Sequence, residues 1–335
     1  MISLPLEKLS AGSSLTEDEM ASAMKEIMGG KVPEGEIIEF LALLRQKGEV
    51  ESEILAAAKV LREFSLKVSV NTENLVDTCG TGGDSKGTFN ISTAAAFVVA
   101  GAGVRVAKHG NRAVSSQAGS ADVLEALGVK IDVEPIVVRR SLSEAGIGFF
   151  FAPRYHPAMK NVAAARKKVG KTIFNLLGPL INPATPLSQV VGIYDPKKMV
   201  SYARVLKALG SRHVWVVHGD DGLDEITLTG KTKIVELKGG EIHEFQIDPK
   251  DYEINYCRPQ DLQGKEASHN ATLLRGFLEG YVSPLRDVVV LNAAAALVVS
   301  GRSKDFEEGV MLANHSLDQG KGYECLKKLI EVTNA

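Results

Sequence analysis

The sequence predicts an α/β protein: a small all-helical N-terminal domain, then a larger α/β domain in which helices flank a central, mostly parallel sheet. Two observations lead to this prediction. The first 68 residues show only helical periodicity, whereas from Leu75 onward short apolar runs alternate with helical segments. A chain of 335 residues also exceeds the commonest size of one domain, so we expect two.

The N-terminal segment, residues 1–68, contains signals for three helices. Thr16 and Glu19 form a capping box in front of the first, which ends at a glycine pair. Pro33 opens the second helix and Gly48 closes it, and the third follows directly. Together they predict a small helical bundle.

Residues 70–335 show the pattern of the α/β domain. A parallel sheet with crossover helices is indicated by five apolar runs, which are LVD, VRVA, IGFFFA, QVVGIY and HVWVVH. An antiparallel extension is predicted from three runs joined by glycine-containing turns, which are EITLTG, KIVEL and EIHEFQI. The C-terminal third returns to helices, including 287–300 and 304–318.

The composition argues against several classes of protein. The formal net charge is −2 and no block of like charges occurs, so a nucleic-acid partner is not expected. No apolar run is long enough to span a membrane, and no signal peptide is expected. The three cysteines, Cys79, Cys257 and Cys325, are far apart and in no metal-binding spacing. They predict free thiols in a reducing cytoplasm.

Polar chemistry is concentrated where the predicted strands end. In an open parallel sheet, ligands bind beyond the carboxyl ends of the strands. The candidate strands here end in TCGTGGD, KHGNR, PRYHP and HGDDGLDE. We therefore expect one composite site at one edge of the sheet.

The glycine-rich segment after the first strand favours an anion. Gly80, Gly82 and Gly83 carry no side chain between their amides and a ligand, so the loop can wrap phosphate oxygens. The next helix starts at residues 90–93, where free amides, the helix dipole and hydroxyls favour the same anion. A tight turn without a ligand is the alternative.

Two familiar nucleotide loops do not match this segment. A Walker loop needs a lysine directly after its last glycine, and here the lysine precedes it. A dinucleotide fingerprint would have a third glycine at Ser85 and an acid after the next strand, which ends instead in Lys108. Because a lysine suits a phosphate, NADP stays open as an alternative.

Acidic residues follow the strand HVWVVH. Carboxylates in a glycine-containing turn, residues 220–225, suit Mg²⁺, which is usually held by one or two carboxylates, waters and substrate phosphates. A solvated acidic loop is the alternative here.

A cationic helix end supplies the remaining candidate. Lys167 and Lys168 are explained by the helix dipole alone. Arg166 precedes an irregular turn at Gly178 and Pro179 that could wall a pocket, where a guanidinium could pair bidentately with a carboxylate.

Longer motifs carry a resemblance to a known family. They include KHGNRAVSS, GTGGD, FNIST, FAPRYHPAMK, NLLGPLINP and GLDE. In this combination the chain closely resembles, nearly end to end, the anthranilate phosphoribosyltransferases, which join anthranilate to phosphoribosyl pyrophosphate (PRPP) in tryptophan biosynthesis. Cys79 and Glu36 depart from the family pattern, and neither touches a site motif.

The resemblance implies a role for each matching residue. PRPP would be bound by Gly80, Gly82, Gly83, Asp84, Thr88, Asn90, Ile91, Ser92, Thr93, Lys108, Asn111, Arg112, Ser115, Ser116 and Ser120. Anthranilate would be bound by Gly80, His109, Asn111, Arg166, Gly178 and Pro179. Two Mg²⁺ ions would be served by Ser92, Asp224 and Glu225.

The resemblance also bears on architecture and mechanism. Helices around 160–184 would join the N-terminal domain, through which the family commonly dimerises. Catalysis would be electrostatic and positional, with no covalent nucleophile or general base. His109 and His156 could simply orient loops. A pyrimidine nucleoside phosphorylase of the same fold and a nucleic-acid-binding relative without transferase activity remain alternatives.

Overall fold

The N-terminal bundle is the first layer of the protein, for which a computed structural model describes residues 2–84, 86–113 and 117–335. Thr16 forms the predicted capping box, because its Oγ1 accepts from the Glu19 amide at 3.2 Å and its own amide donates to the Glu19 side chain at 3.0 Å. The helix that it caps is the second in the structure, because a helix not predicted from the sequence precedes it. The bundle helices are Ser3–Ser10 (α1), Glu17–Met28 (α2), Glu34–Lys47 (α3) and Glu51–Phe64 (α4).

The sheet has seven strands in the order β3-β2-β1-β4-β5-β6-β7. The first five of these in the sheet pair in parallel, and β6 and β7 add the predicted antiparallel extension. The strands are Leu75–Gly80 (β1), Arg105–Gly110 (β2), Ile147–Phe151 (β3), Ser188–Gly192 (β4), His213–Gly219 (β5), Thr232–Lys238 (β6) and Glu241–Ile247 (β7).

The prediction of a strand at EITLTG is wrong. These residues form an irregular, bent segment, and their amides donate to side chains instead of to a neighbouring strand. Ile226 N donates to Asn292 Oδ1 at 2.9 Å, and Thr227 N donates to Thr232 Oγ1 at 3.0 Å. Because side chains satisfy the backbone, β-branched residues here need no ladder.

Helices cover both faces of the sheet. The predicted C-terminal helices are confirmed to within three residues at each end. The helices are Ile91–Gly101 (α5), Ser120–Ala126 (α6), Pro135–Glu144 (α7), Ala152–Tyr155 (α8), Ala163–Val169 (α9), Ile173–Leu177 (α10), Met199–Ala208 (α11), Ala267–Leu278 (α12), Pro284–Val299 (α13), Phe306–Asp318 (α14) and Lys321–Asn334 (α15). Short 3₁₀ helices lie at Pro157–Val162, Gly178–Ile181, Pro196–Lys198, Pro249–Tyr252 and Pro259–Leu262.

Alternate strand residues enter two different cores. Val190 and Trp215 pack on the face covered by α5 and α13, whereas Val191 and Val216 pack on the face covered by α11 and the bundle. The sheet is therefore the middle layer of three. Among the described helices, none combines the length and the apolar content needed to cross a bilayer.

The segment between β3 and β4 packs against the bundle. Val162 and Phe174 are buried in the same core as Phe40 of α3. Asn161 Nδ2 donates to the carbonyl of Met28 at 2.7 Å, and Arg45 Nη1 donates to the carbonyl of Val169 at 2.9 Å. This packing places α9 and α10 beside the carboxyl edge of the sheet.

Candidate active site

The turn after β5 lies directly across the ends of β1 and β4. Asp224 approaches the glycine loop so closely that its Oδ2 accepts a hydrogen bond from Gly82 N at 2.8 Å. A Cβ placed on Gly80 would lie 2.6 Å from this carboxylate, and one placed on Gly192 would lie 1.5 Å from the Asp224 carbonyl oxygen. Glycine at both positions is therefore required by the approach of Asp224.

Glu225 connects the same turn to the start of α5. Its Oε1 accepts from Ser92 N at 3.3 Å. The carboxylate pair thus bridges the glycine loop and the helix start, which are the two anion-binding elements that the sequence predicted. The glycine loop and the helix start are close in sequence, and the turn more than 130 residues later joins them to form one site.

Both carboxylates are desolvated. Burial raises the pKa of Asp224 well above its usual range, and repulsion from Asp84 and Glu225 raises it further. Burial also raises the pKa of Glu225 to about 7, although Lys108 opposes this shift. Keeping both groups ionised is costly here, and a bound divalent cation would remove that cost.

The donor set fits Mg²⁺ by its chemistry. In the described part of the chain, no group of three or more His, Cys, Asp or Glu side chains is arranged to hold a metal ion. The predicted ligands Ser92, Asp224 and Glu225 form a smaller set of oxygens only. That suits Mg²⁺, which keeps waters and substrate phosphates in its shell.

Lys108 lies beneath the helix start. Its side chain is buried, its Nζ donates to the carbonyl of Thr78 at 2.7 Å, and it lies 3.4 Å from Ser92 Oγ. Burial lowers the pKa of Lys108, and the charges of Asp77 and Glu225 oppose this shift. The lysine is therefore the buried countercharge of the carboxylate side of the site.

Asn90 precedes α5 but does not cap it with its side chain. Its Nδ2 donates to the carbonyl of Ala118 at 3.0 Å, and its Oδ1 accepts from Asn270 at 3.0 Å. Ile91 and Thr93 point into buried surroundings. A ligand at this helix start would therefore meet main-chain amides and the Ser92 hydroxyl.

The segment after β2 brings further predicted residues to the edge. Ser120 Oγ donates to the Asn111 carbonyl at 3.4 Å, and a Cβ on Gly110 would lie 2.1 Å from Ser120 Oγ. Thr88 lies in the loop before α5, in an isolated bridge to Gln263. Ser115 and Ser116, which the sequence predicted to bind PRPP, lie outside the described residues.

Arg112 is engaged on the protein itself. It forms ion pairs with Asp122 at 3.1 Å and with Glu125, whose Oε1 accepts from Nη2 at 2.8 Å. These two carboxylates raise its pKa. Its guanidinium is therefore directed toward α6 in this structure.

Arg166, unlike Arg112, is not paired with a carboxylate of the described residues. Within the described residues its guanidinium makes no hydrogen bond or ion pair, and it lies over the ring of Phe174 at 5.2 Å from the centroid. Burial lowers its pKa. An unpaired guanidinium packed on an aromatic ring is suited to hold a planar carboxylate.

Two histidines line the acceptor side. His109 Nδ1 lies 3.2 Å from the carbonyl of Gly178, and the two Nε2 atoms of His109 and His156 are 3.1 Å apart. Since a carbonyl only accepts, His109 carries its proton on Nδ1, and His156 donates from Nε2. Burial lowers the pKa of His109 to about 3 and that of His156 to about 4, so both are neutral at physiological pH.

Comparisons with known proteins decide the family. A family model described as "Glycosyl transferase family, a/b domain" matches residues 72–323, and the corresponding helical bundle domain matches residues 6–65. The anthranilate phosphoribosyltransferase of a Bradyrhizobium species is 50% identical over 329 residues, covering 98% of this chain and 97% of the relative. The chain belongs to the anthranilate phosphoribosyltransferase family.

Solved structures agree with this assignment. The anthranilate phosphoribosyltransferase of Thermus thermophilus superposes with a TM-score of 0.93 at 40% identity, covering 99% of both chains. The Saccharomyces cerevisiae enzyme in complex with PRPP and Mg gives a TM-score of 0.91 at 26% identity, covering 99% of this chain and 98% of that one. The predicted family, fold class and enzyme class are confirmed.

Sequence reasoning missed a buried network behind the acceptor side. Asn182 Nδ2 donates to Asp77 Oδ2 and to the carbonyl of Ala107, each at 2.8 Å. Gln189 Nε2 donates to the carbonyl of Pro179 at 3.0 Å. Gln189 of β4 therefore holds the Gly178-Pro179 turn, and Asn182 holds the following segment against β1 and β2. Buried polar residues inside apolar strands were the available signal.

Proposed function

We propose that this protein transfers the phosphoribosyl group of PRPP to the amine of anthranilate, giving N-(5-phosphoribosyl)anthranilate and pyrophosphate in tryptophan biosynthesis. The observation that carries the proposal is the carboxylate pair. Asp224 and Glu225 bind the glycine loop through Gly82 N and the helix start through Ser92 N. A metal–pyrophosphate group needs carboxylates and main-chain amides arranged side by side in this way.

The donor would lie along the carboxyl edge of β1 and β2. Amides of the glycine loop and of the α5 start would hold the pyrophosphate, and the buried Lys108 would offset part of the negative charge of the site. Two Mg²⁺ ions would be held by Ser92, Asp224 and Glu225. When bound, they would neutralise the charge that develops on the departing pyrophosphate. The PRPP and Mg in the yeast relative support this assignment.

The acceptor would bind beside Arg166. Its unpaired guanidinium would hold the anthranilate carboxylate, and Gly178, Pro179 and His109 would wall the ring. A variant of the yeast relative in complex with 4-fluoroanthranilate supports an acceptor of this shape, with a TM-score of 0.89 at 25% identity over 99% of this chain and 98% of that one.

The chemistry requires no general base. Cleavage of the C1–pyrophosphate bond places positive charge on the ribose and negative charge on the leaving group, so the work is positional and electrostatic. An aromatic amine is already neutral at pH 7. The neutral pair of His109 and His156 would orient the acceptor pocket without taking a proton.

We also propose the domain organisation, the oligomeric state and the cellular location of the protein. Residues 1–68, joined by the helices around 160–184, would act as one domain, and residues 70–335 as the other. The chain would form a homodimer through the bundle, where Leu4 of α1 is 54% exposed. Reduced cysteines suit a cytoplasmic enzyme.

One assay tests the proposal. The fluorescence of anthranilate should fall only when PRPP and Mg²⁺ are both present, and released pyrophosphate should match the anthranilate consumed. Phosphorolysis of thymidine or uridine without anthranilate consumption would show a nucleoside phosphorylase instead.

A further inference from the structure

We infer that Lys171 is a donor-binding residue that reaches the glycine loop from the helical side of the cleft. The inference rests on the proposed function and deepens it. The helix dipole accounts for the neighbouring Lys167 and Lys168, whereas no sequence motif assigns a role to Lys171.

The geometry places the Lys171 ammonium on the loop itself. Its Nζ donates to the carbonyl of Gly83, and a Cβ placed on Gly83 would lie 3.0 Å from Lys171 Cε. Gly83 adopts a φ of +82°, a conformation that favours glycine, and its carbonyl accepts from Lys171, which lies between α9 and α10. The lysine therefore lies directly against the glycine loop, within reach of a phosphate bound there.

Its surroundings leave the charge available. No carboxylate of the described residues forms an ion pair with Lys171, which contacts the neutral Gly83 carbonyl and the ring of Tyr194, 5.0 Å from Nζ to the centroid. The aromatic face holds a cation in place without neutralising it. An anion arriving at the loop would be a stronger partner than a carbonyl.

The position of Lys171 is held by the bundle. Gly170 adopts a φ of +82° and ends α9, and Arg45 of α3 donates to the carbonyl of Val169 just before it. These contacts direct the chain from the bundle toward the loop. Lys171 follows Arg166 on the same segment, so one segment would contact both substrates.

The charge balance of the site supports a cation here. Asp84, Asp224 and Glu225 lie on the sheet side of the loop, and among the described lysines only Lys108 is buried beside them. PRPP brings several further negative charges. A second lysine from the opposite side would bind the face of the pyrophosphate that the metal ligands do not reach.

The test compares Lys171→Met with Lys171→Arg and with Lys168→Met. Lys168 is a matched control because it lies on the same segment, 64% exposed, and pairs with Glu34 at 2.8 Å. In Lys171→Met, we expect the KM for PRPP to rise about tenfold to a hundredfold, because one charge-assisted contact is lost. The KM for anthranilate should change much less, and Lys171→Arg should restore most of the donor affinity.

A binding measurement separates this inference from the proposed function. Calorimetry with inorganic pyrophosphate and Mg²⁺ should show the same loss of affinity in Lys171→Met and none in Lys168→Met. If Lys171→Met behaves as Lys168→Met does in both measurements, the inference is wrong. It is also wrong if both KM values and the melting temperature shift together, which would indicate a structural role. A wild-type protein that binds pyrophosphate through Lys171 but consumes no anthranilate would retain the inference and refute the proposed function.

Discussion

Gly192→Ala tests the close approach of Asp224 to β4. The added Cβ would lie 1.5 Å from the Asp224 carbonyl oxygen and 2.4 Å from its carbonyl carbon, whereas real Cβ atoms essentially never come closer than 3.0 Å. One of the two segments must therefore move by about 1.5 Å. Gly192 pairs with Gly80 on one side and Val217 on the other, so β4 cannot yield easily. The turn that carries Asp224 would move instead.

The expected loss follows from that displacement. A misplacement of about 1 Å in a catalytic constellation costs about a hundredfold in rate, which is about 2.7 kcal/mol of barrier. We therefore expect kcat/KM to fall at least about a hundredfold, and the Mg²⁺ concentration needed for half-maximal rate to rise. Overpacking should also lower the free energy of unfolding by about 1–3 kcal/mol.

The assay is anthranilate consumption at varied Mg²⁺, with circular dichroism and thermal melting to confirm that the variant is folded. Gly35→Ala is the matched control, because a Cβ there would have nothing within 4 Å and its φ is not positive. It should leave activity unchanged. A folded Gly192→Ala variant with the wild-type rate and Mg²⁺ response would refute the geometry.

Four further predictions concern single elements of the site. Arg166→Ala should raise the KM for anthranilate much more than that for PRPP, and equal effects in steady-state kinetics would contradict the carboxylate role. Asp224→Ala combined with Glu225→Ala should abolish metal-dependent turnover; an unchanged Mg²⁺ titration would place the metal elsewhere. Gly83→Val should prevent PRPP from binding, because a φ of +82° strains any residue with a side chain. Calorimetry with pyrophosphate measures this, and an affinity equal to that of the wild type would contradict the prediction. Because the pKa of His156 falls to about 4 on folding, protons favour the unfolded state below pH 6.5, and His156 should lower stability from there toward pH 4 by on the order of 3 kcal/mol, with His109 adding to the decline. In His156→Gln this slope should flatten in melting curves against pH, and an identical slope would show that another group is responsible.

Local signals were enough for much of the fold. The capping box of Thr16 and Glu19 involves residues three apart, and the five parallel strands were recognised because each is a short buried run between helices. The strand prediction at EITLTG was wrong because it also relied on a local signal. Its β-branched residues suggested a strand, whereas the amide of Ile226 donates to Asn292, 66 residues away. Strand propensity depends on neighbouring residues, and this hydrogen-bond partner is distant in the sequence.

The parts of the site that sequence reasoning missed depend on contacts between distant segments. Gly192 was counted only as part of a strand, although a glycine inside a strand is a signal of close backbone approach. Its reason is Asp224, which no local pattern connects to β4. Lys171 likewise acquires a partner, Gly83, that is 88 residues earlier in the chain. Such pairs are set by packing of the bundle and the sheet.

The contact between Asp224 and Gly82 links the two halves of the donor site. In this structure one amide serves the carboxylate, with 2.8 Å between Gly82 N and Asp224 Oδ2. In the proposed function the same amide would serve the pyrophosphate, and Asp224 would serve the metal. One N–H cannot serve both partners well. A metal held by Asp224 would therefore make Gly82 N available, and a pyrophosphate on Gly82 N would leave Asp224 to the metal. Metal and donor should therefore bind cooperatively, each raising the affinity for the other by the same factor.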